Sequence, residues 1–110
     1  MYRRFLYSKI RDVRITGTNL KYEGSITIDE EYLERSGILP NEEVHVLNVN
    51  TGSRLITYVI KGERGSGAVE LNGPAARLGM VGDNIMILSY AMLSPKEIAD
   101  HKPTILNINK

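Results

Sequence analysis

Apolar and polar residues alternate along much of this chain with the period of two that is typical of a half-buried β-strand. Seven stretches have a strand-like pattern, and they are residues 5–15, 20–28, 44–49, 54–60, 68–71, 85–93 and 104–108. Residues 85–93 are almost continuously apolar, so they are predicted to form a core strand that is buried on both faces. Residues 50–53 separate two of the stretches and predict a hairpin turn.

Short helices are predicted between the strands. Asp29 is a favourable N-cap and Gly37 is a typical C-terminal stop, so residues 30–36 are expected to be helical. The segment from Ser94 to Glu97 has the pattern of a capping box, with proline at the first helical position of a second short helix. Turns or flexible connections are predicted at 16–19, 61–67 and 72–74, and one helical turn at 75–78.

Many short strands with glycine-containing turns and brief helices indicate a small, mainly β barrel, because closure of a barrel removes exposed strand edges. The length of 110 residues fits a single domain, 1–110. A chain of this size has no room for a cleft between two lobes. An active site is therefore expected at a subunit interface.

Composition excludes several classes of site and location. The chain has no cysteine and only two histidines, so no metal site is predicted. Neither a signal-peptide core nor a membrane span is recognisable, and a cytoplasmic protein with no membrane partner is expected. The net charge of +1 argues against a dedicated nucleic-acid binder, although the first strand is locally basic.

The dipeptide Gly24-Ser25 lies inside the second strand-like stretch. A serine hydroxyl can attack the carbonyl that precedes it, and glycine favours this because it has no Cβ and tolerates strained backbone angles. The acyl group would move from nitrogen to oxygen, and elimination and hydrolysis would then leave a pyruvoyl group on a new chain start. Taken alone, such a dipeptide is more often only a turn or bulge, and Gly52-Ser53 and Gly65-Ser66 are further examples in this chain.

The predicted strand 54–60 carries a second set of candidate residues. Strand period places Arg54 and Tyr58 on one face and Thr57 on the other. Each has an ordinary structural interpretation, since arginine is mostly a surface charge and tyrosine a common strand residue. Only their combination with the Gly24-Ser25 dipeptide indicates a reaction.

The chain resembles the pyruvoyl-dependent aspartate 1-decarboxylase family from residue 9 to residue 93. The residues that carry the resemblance stand in the family's order and spacing, and they are Lys9, Tyr22-x-Gly24-Ser25, Arg54-x-x-Thr57-Tyr58, Glu63-Arg64-Gly65-Ser66, Asn72-Gly73 and Val81-Gly82-Asp83. The resemblance implies a six-stranded double-psi β-barrel that assembles as a homotetramer and cleaves itself into residues 1–24 and 25–110. It also implies decarboxylation of L-aspartate to β-alanine and CO2, which feeds pantothenate and coenzyme A synthesis.

The resemblance also implies roles for single residues. Ser25 would become the pyruvoyl group that forms a Schiff base with the substrate, in place of a metal or pyridoxal phosphate. Tyr58 would donate a proton, and Thr57 would contact the substrate and stabilise the oxyanion at the Gly24 carbonyl during cleavage. Arg54 is assigned to the retained side-chain carboxylate, because a clamp on the departing carboxylate would stabilise the ground state more than the transition state. The other implied substrate contacts are Lys9, Asn72, Gly73, Pro74 and Ala75.

Two positions depart from the family pattern. Arg11 stands where histidine is frequent, and Pro74 stands where alanine is frequent, which removes one backbone N–H donor. The sequence leaves open whether cleavage is spontaneous or needs a helper protein. It also leaves open an alternative of another class, a non-enzymatic β-barrel module that binds nucleic acid or regulates, although stacking aromatics are not interleaved with the basic residues.

Overall fold

The computed structural model describes residues 1–109, and these residues form eight β-strands and three short helices. The strands are β1 (Arg3–Arg14), β2 (Gly17–Asn19), β3 (Ser25–Asp29), β4 (Glu43–Asn48), β5 (Arg54–Gly62), β6 (Val69–Asn72), β7 (Asn84–Leu93) and β8 (Thr104–Asn107). The helices are α1 (Glu30–Ser36), a 3₁₀ helix (Gly73–Leu78) and α2 (Pro95–Ile98). No helix in the described part of the chain is long and apolar enough to cross a bilayer.

All eight strands pair into one mixed sheet in the order β2-β6-β3-β5-β4-β7-β1-β8. The pairs β2–β6, β3–β5 and β1–β8 are parallel, and the other neighbours are antiparallel. The expectation of a mainly β fold is confirmed. The expected six-stranded double-psi barrel is not confirmed, since eight strands pair in an open series.

Each of the seven predicted stretches contains a strand, but the region around residue 20 differs from the prediction. Residues 17–19, predicted as a turn, form β2. The preceding residue, Thr16, fixes them beside β6, because its backbone N–H donates to the Val69 carbonyl (2.8 Å) and its hydroxyl also hydrogen-bonds to the Val69 backbone. Residues 20–24 are not extended, since the Asn19 side chain accepts a hydrogen bond from the Lys21 N–H (3.1 Å) and turns the chain. Strand β3 therefore begins at Ser25.

The core lies between the inward faces of the sheet strands, and α1 adds Leu33 to it. Its fully buried large side chains are Ile10, Ile15, Ile26, Ile28, Ile38, Val44, Val46, Val59, Val69, Leu71, Ile85 and Ile87. Strand β7 is buried on both faces only over residues 87–89, and Met92 is 55 % exposed. The prediction of a wholly buried β7 is therefore wrong for its second half, where residues 90, 91 and 93 are only partly buried and Met92 is exposed.

Both predicted capped helices and the hairpin are confirmed. The Asp29 carboxylate caps α1 by accepting a hydrogen bond from the Glu31 N–H (2.8 Å). It also accepts from the N–H groups of Gly65 (3.0 Å) and Gly67 (2.7 Å), whose φ angles of 83° and 71° suit glycine. Burial raises the pKa of the Asp29 carboxyl, but these three donors and the charge of Arg64 outweigh it, so the pKa lies below its ordinary value.

We expect Asp29→Ala to lower the free energy of unfolding by about 2 to 4 kcal/mol, because it removes a helix cap and two further charge-assisted hydrogen bonds. Since the folded-state pKa is lowered, the contribution of the carboxylate is complete above its ordinary pKa of 3.8 and is lost as the pH falls through the folded-state value. Denaturant unfolding at pH 7 and at pH 3 measures both effects.

The exposed Asp100 provides the matched control, and Asp100→Ala is expected to change the stability by less than about 0.5 kcal/mol. Equal stability losses for the two alanine variants would show that the Asp29 hydrogen bonds contribute nothing specific.

Candidate active site

Ser25 is the first residue of β3, and its side chain is fully buried. It pairs with Asn72 of the antiparallel strand β6. The Asn72 side-chain amide donates to Ser25 Oγ (3.0 Å) and to Thr27 Oγ1 (2.9 Å), and the Ser25 hydroxyl donates to the Glu23 carbonyl (3.0 Å). The one serine that sequence reasoning selected is thus held from both sides.

The Ser25 hydroxyl is suited to attack on the carbonyl carbon of Gly24, because closing that contact makes a five-membered ring. Among residues 1–109, the glycines with positive φ do not include Gly24, so the strained backbone expected there is not observed. A Cβ on Gly24 would meet only Pro74 Cδ, at an ordinary contact distance of 3.5 Å. Neither packing nor a positive φ therefore requires glycine, and the unshielded carbonyl remains the chemical reason for it.

Gly73 directly supports the segment that precedes Ser25. Its φ is 62°, and a Cβ added to it would lie 2.5 Å from the Tyr22 carbonyl oxygen and 2.8 Å from the Gly24 nitrogen. No side chain fits at these distances. The Asn72-Gly73 pair therefore fixes both the hydroxyl of Ser25 and the backbone on the other side of the Gly24-Ser25 bond.

A cavity of about 410 Å³ opens beside this bond, and we call it the Gly24 cavity. Its lining residues are Gly24, Leu55, Ile56, Thr57, Tyr58, Pro74, Ala75 and Leu78. Strand β5 and the 3₁₀ helix thus bring five of the predicted site residues together. The Tyr58 hydroxyl donates to Glu23 Oε2 (3.5 Å), and within residues 1–109 no hydrogen bond joins Thr57 to the Gly24 carbonyl.

The two candidate cations lie apart from each other in the sheet. Arg54 begins β5 on the same face as Tyr58, and its Nη1 lies 2.8 Å from His45 Nδ1. Lys9 lies in β1, where it pairs with Leu88, and strands β4 and β7 separate β1 from β5. Among the described residues, no hydrogen bond or ion pair connects Lys9 with the Gly24 cavity.

Sequence reasoning missed Glu23 and His45. Glu23 precedes the predicted cleavage site, but its contact with Tyr58 depends on the turn at 20–24, which the sequence did not predict. His45 was detectable in principle, because the predicted hairpin sets it opposite Ile56 and diagonally next to Arg54.

Comparisons with known proteins bear on the family of this chain. A family model described as "Aspartate decarboxylase" matches residues 1–110. The chain is 51% identical over 110 residues to the aspartate 1-decarboxylase of Bacillus licheniformis, covering 100% of this chain and 87% of that protein. It is 54% identical over 104 residues to the aspartate 1-decarboxylase of Caldicellulosiruptor saccharolyticus (94% and 81% covered) and 49% identical over 109 residues to that of Bacillus subtilis (99% and 86% covered). Since the family model spans every residue of the sequence, the chain belongs to the aspartate decarboxylase family.

Proposed function

We propose that this chain is a pyruvoyl-dependent aspartate 1-decarboxylase, which converts L-aspartate to β-alanine and CO2 and so supplies β-alanine for pantothenate synthesis. The observation that carries the proposal is the fully buried Ser25 hydroxyl, which accepts a hydrogen bond from Asn72 and follows Gly24 at the wall of a cavity. Membership of the aspartate decarboxylase family supports it.

Maturation starts when Ser25 Oγ attacks the carbonyl carbon of Gly24 and the peptide C–N bond breaks, which leaves an ester and a free amine. Loss of the Ser25 α-proton expels the Gly24 carboxylate and leaves dehydroalanine at residue 25. Water then replaces the amine, which leaves as ammonia, and a pyruvoyl group remains. Asn72 orients the attacking oxygen, and Thr57, which lines the same cavity as Gly24, is assigned to the developing oxyanion.

The residues around Ser25 fit a pyruvoyl group, because its position is buried directly after Gly24, which lines the cavity, and Asn72 offers a neutral hydrogen-bond donor. When formed, this group supplies a ketone for the substrate amine and takes up negative charge as the carboxylate leaves. Tyr58 is assigned as the donor of the proton to the substrate carbon. Since Pro74 has no N–H, Gly73 and Ala75 are the available backbone donors of the turn 73–75, and Ala75 lines the cavity.

Arg54 is assigned to the retained side-chain carboxylate of aspartate, for which its planar group provides two parallel hydrogen bonds. It shares its face of β5 with Ile56 and Tyr58, and both of these line the Gly24 cavity. Lys9 is assigned to the substrate from a neighbouring subunit, since within one chain two strands separate β1 from β5. Sites at subunit interfaces follow from that assignment. The homotetramer, the cytoplasmic location and the double-psi barrel stay predictions that rest on the family resemblance.

The deciding experiment is an intact-mass measurement on denatured, purified protein. We expect two chains, residues 1–24 and residues 25–110, and we expect Ser25→Ala to remain a single chain because it lacks the attacking oxygen. Ser53→Ala, which alters another Gly-Ser dipeptide, is the control and should still be cut after Gly24. A wild-type chain that stays intact on long incubation, with and without a cell extract, would rule out the maturation step.

Variants of Thr57 and Tyr58 are expected to be impaired at different stages, the first in cleavage and the second in turnover. Thr57→Val keeps the branched shape and removes the hydroxyl, so uncut chain should accumulate. Tyr58→Phe keeps the ring and removes the acid, so it should be cut normally and then decarboxylate aspartate ~100-fold to ~10,000-fold more slowly. Mass spectrometry measures the first effect and CO2 release the second, at matched Tm. If the cleaved Tyr58→Phe enzyme turned over at the wild-type rate, Tyr58 would not be the proton donor and would have only a structural role.

Gly73→Ala should impair cleavage because its methyl group would collide with the Tyr22 carbonyl and the Gly24 nitrogen. Gly52→Ala is the matched control, since Gly52 also has a positive φ (78°) but no atom within 4 Å of an added Cβ. In both variants, placing alanine at a positive φ costs about 1 kcal/mol or more of stability. Gly73→Ala also carries the cost of the collision, so the two variants are compared at a temperature at which both stay folded. Time courses of the uncut fraction should then differ, and identical time courses would contradict the support assigned to Gly73.

A further inference from the structure

Strand β4 places His45 beside Arg54. In the antiparallel β4–β5 pair, Leu47 lies opposite Arg54 and His45 lies opposite Ile56, so His45 and Arg54 are diagonal neighbours on one face of the sheet. Their side chains meet with Arg54 Nη1 2.8 Å from His45 Nδ1. This distance is that of a good hydrogen bond.

The chemistry of the pair defines which atom donates. A guanidinium group carries only donors and keeps its charge in proteins, so His45 Nδ1 must be the acceptor. The contact therefore requires the imidazole tautomer that carries its proton on Nε2. His45 consequently acts as a fixed acceptor for one particular nitrogen of Arg54.

The surroundings hold the His45 ring in place. The Tyr90 ring packs against it with centroids 4.9 Å apart and an interplanar angle of 58°. Arg4, Glu43 and Tyr90 line with His45 a small cavity of about 110 Å³. The acceptor is thus supported by Tyr90 of β7 as well as by its own strand β4.

The consequence for Arg54 concerns its free edge. The bond to His45 occupies Nη1, and the edge formed by Nε and Nη2 remains available for a carboxylate. An exposed arginine loses up to about 2 kcal/mol of side-chain entropy when it is fixed, and a partner that fixes it beforehand reduces this cost on substrate binding. We propose that His45 is a positioning residue that presents the free edge of Arg54 to the side-chain carboxylate of the substrate, which rests on the proposed decarboxylase function.

The test is steady-state kinetics on fully cleaved enzyme, with cleavage verified by mass. His45→Leu removes the acceptor and should raise KM for aspartate by roughly threefold to tenfold, the worth of one hydrogen bond, while kcat stays within about twofold. His45→Gln offers an amide oxygen to Arg54 and should restore KM to within about twofold of wild type. If His45 had only a structural role, His45→Gln would not restore KM, and His45→Leu would change kcat, cleavage or Tm.

A double-mutant cycle separates this inference from the function on which it rests. If His45 acts through Arg54, His45→Leu should have no further effect on KM in the Arg54→Lys background. A raised KM for Arg54→Lys together with an unchanged KM for His45→Leu, or additive effects of the two, would overturn the role of His45 alone. Mature wild-type protein that does not decarboxylate aspartate would overturn both proposals. If leucine impairs folding, His45→Ala takes its place with the same expected results.

Discussion

The arrangement of the candidate active site depends on one side chain, the amide of Asn72. Its nitrogen donates to Ser25 and to Thr27, two residues that are neighbours on one face of β3, so a single group aligns β3 with β6 and holds the serine oxygen. The next residue, Gly73, lets the backbone before Ser25 approach to within contact of β6's end. Local strand pairing and the geometry around the Gly24-Ser25 bond are therefore set by the same two residues.

One motif that supports the family resemblance works in the fold rather than in the chemistry. In Glu63-Arg64-Gly65-Ser66, the Gly65 N–H binds the buried Asp29 carboxylate, and Arg64 forms ion pairs with Glu30 and Glu34 of α1. These contacts fasten the loop after β5 to the end of β3. They lie at the opposite end of β3 from Ser25, and they secure the strand that begins with this serine.

Local signals in the sequence predicted the elements that local interactions decide. The α1 cap at Asp29 and the hairpin at 50–53 were correct because capping and turn chemistry involve residues close in sequence. Strand β2 was missed because it exists only through pairing with β6, some 50 residues away. The same limit applies to the site: the proposed reactivity of Gly24-Ser25 was inferred from adjacent residues, whereas the contacts of Glu23 and His45 arise from the tertiary fold.

A cut after Gly24 would turn folding from a process within one chain into the association of two chains. Residues 1–24 contain β1 and β2. Strand β1 lies between β7 and β8, and β2 pairs with β6, so both strands of the small fragment pair with strands of the large one. In the intact chain these pairings form within one molecule. After the cut, unfolding would release two independent chains, and reassembly would require them to meet again in solution at the cost of lost translational freedom. The mature form would then owe its persistence to slow unfolding, with the covalent link needed only once, during synthesis.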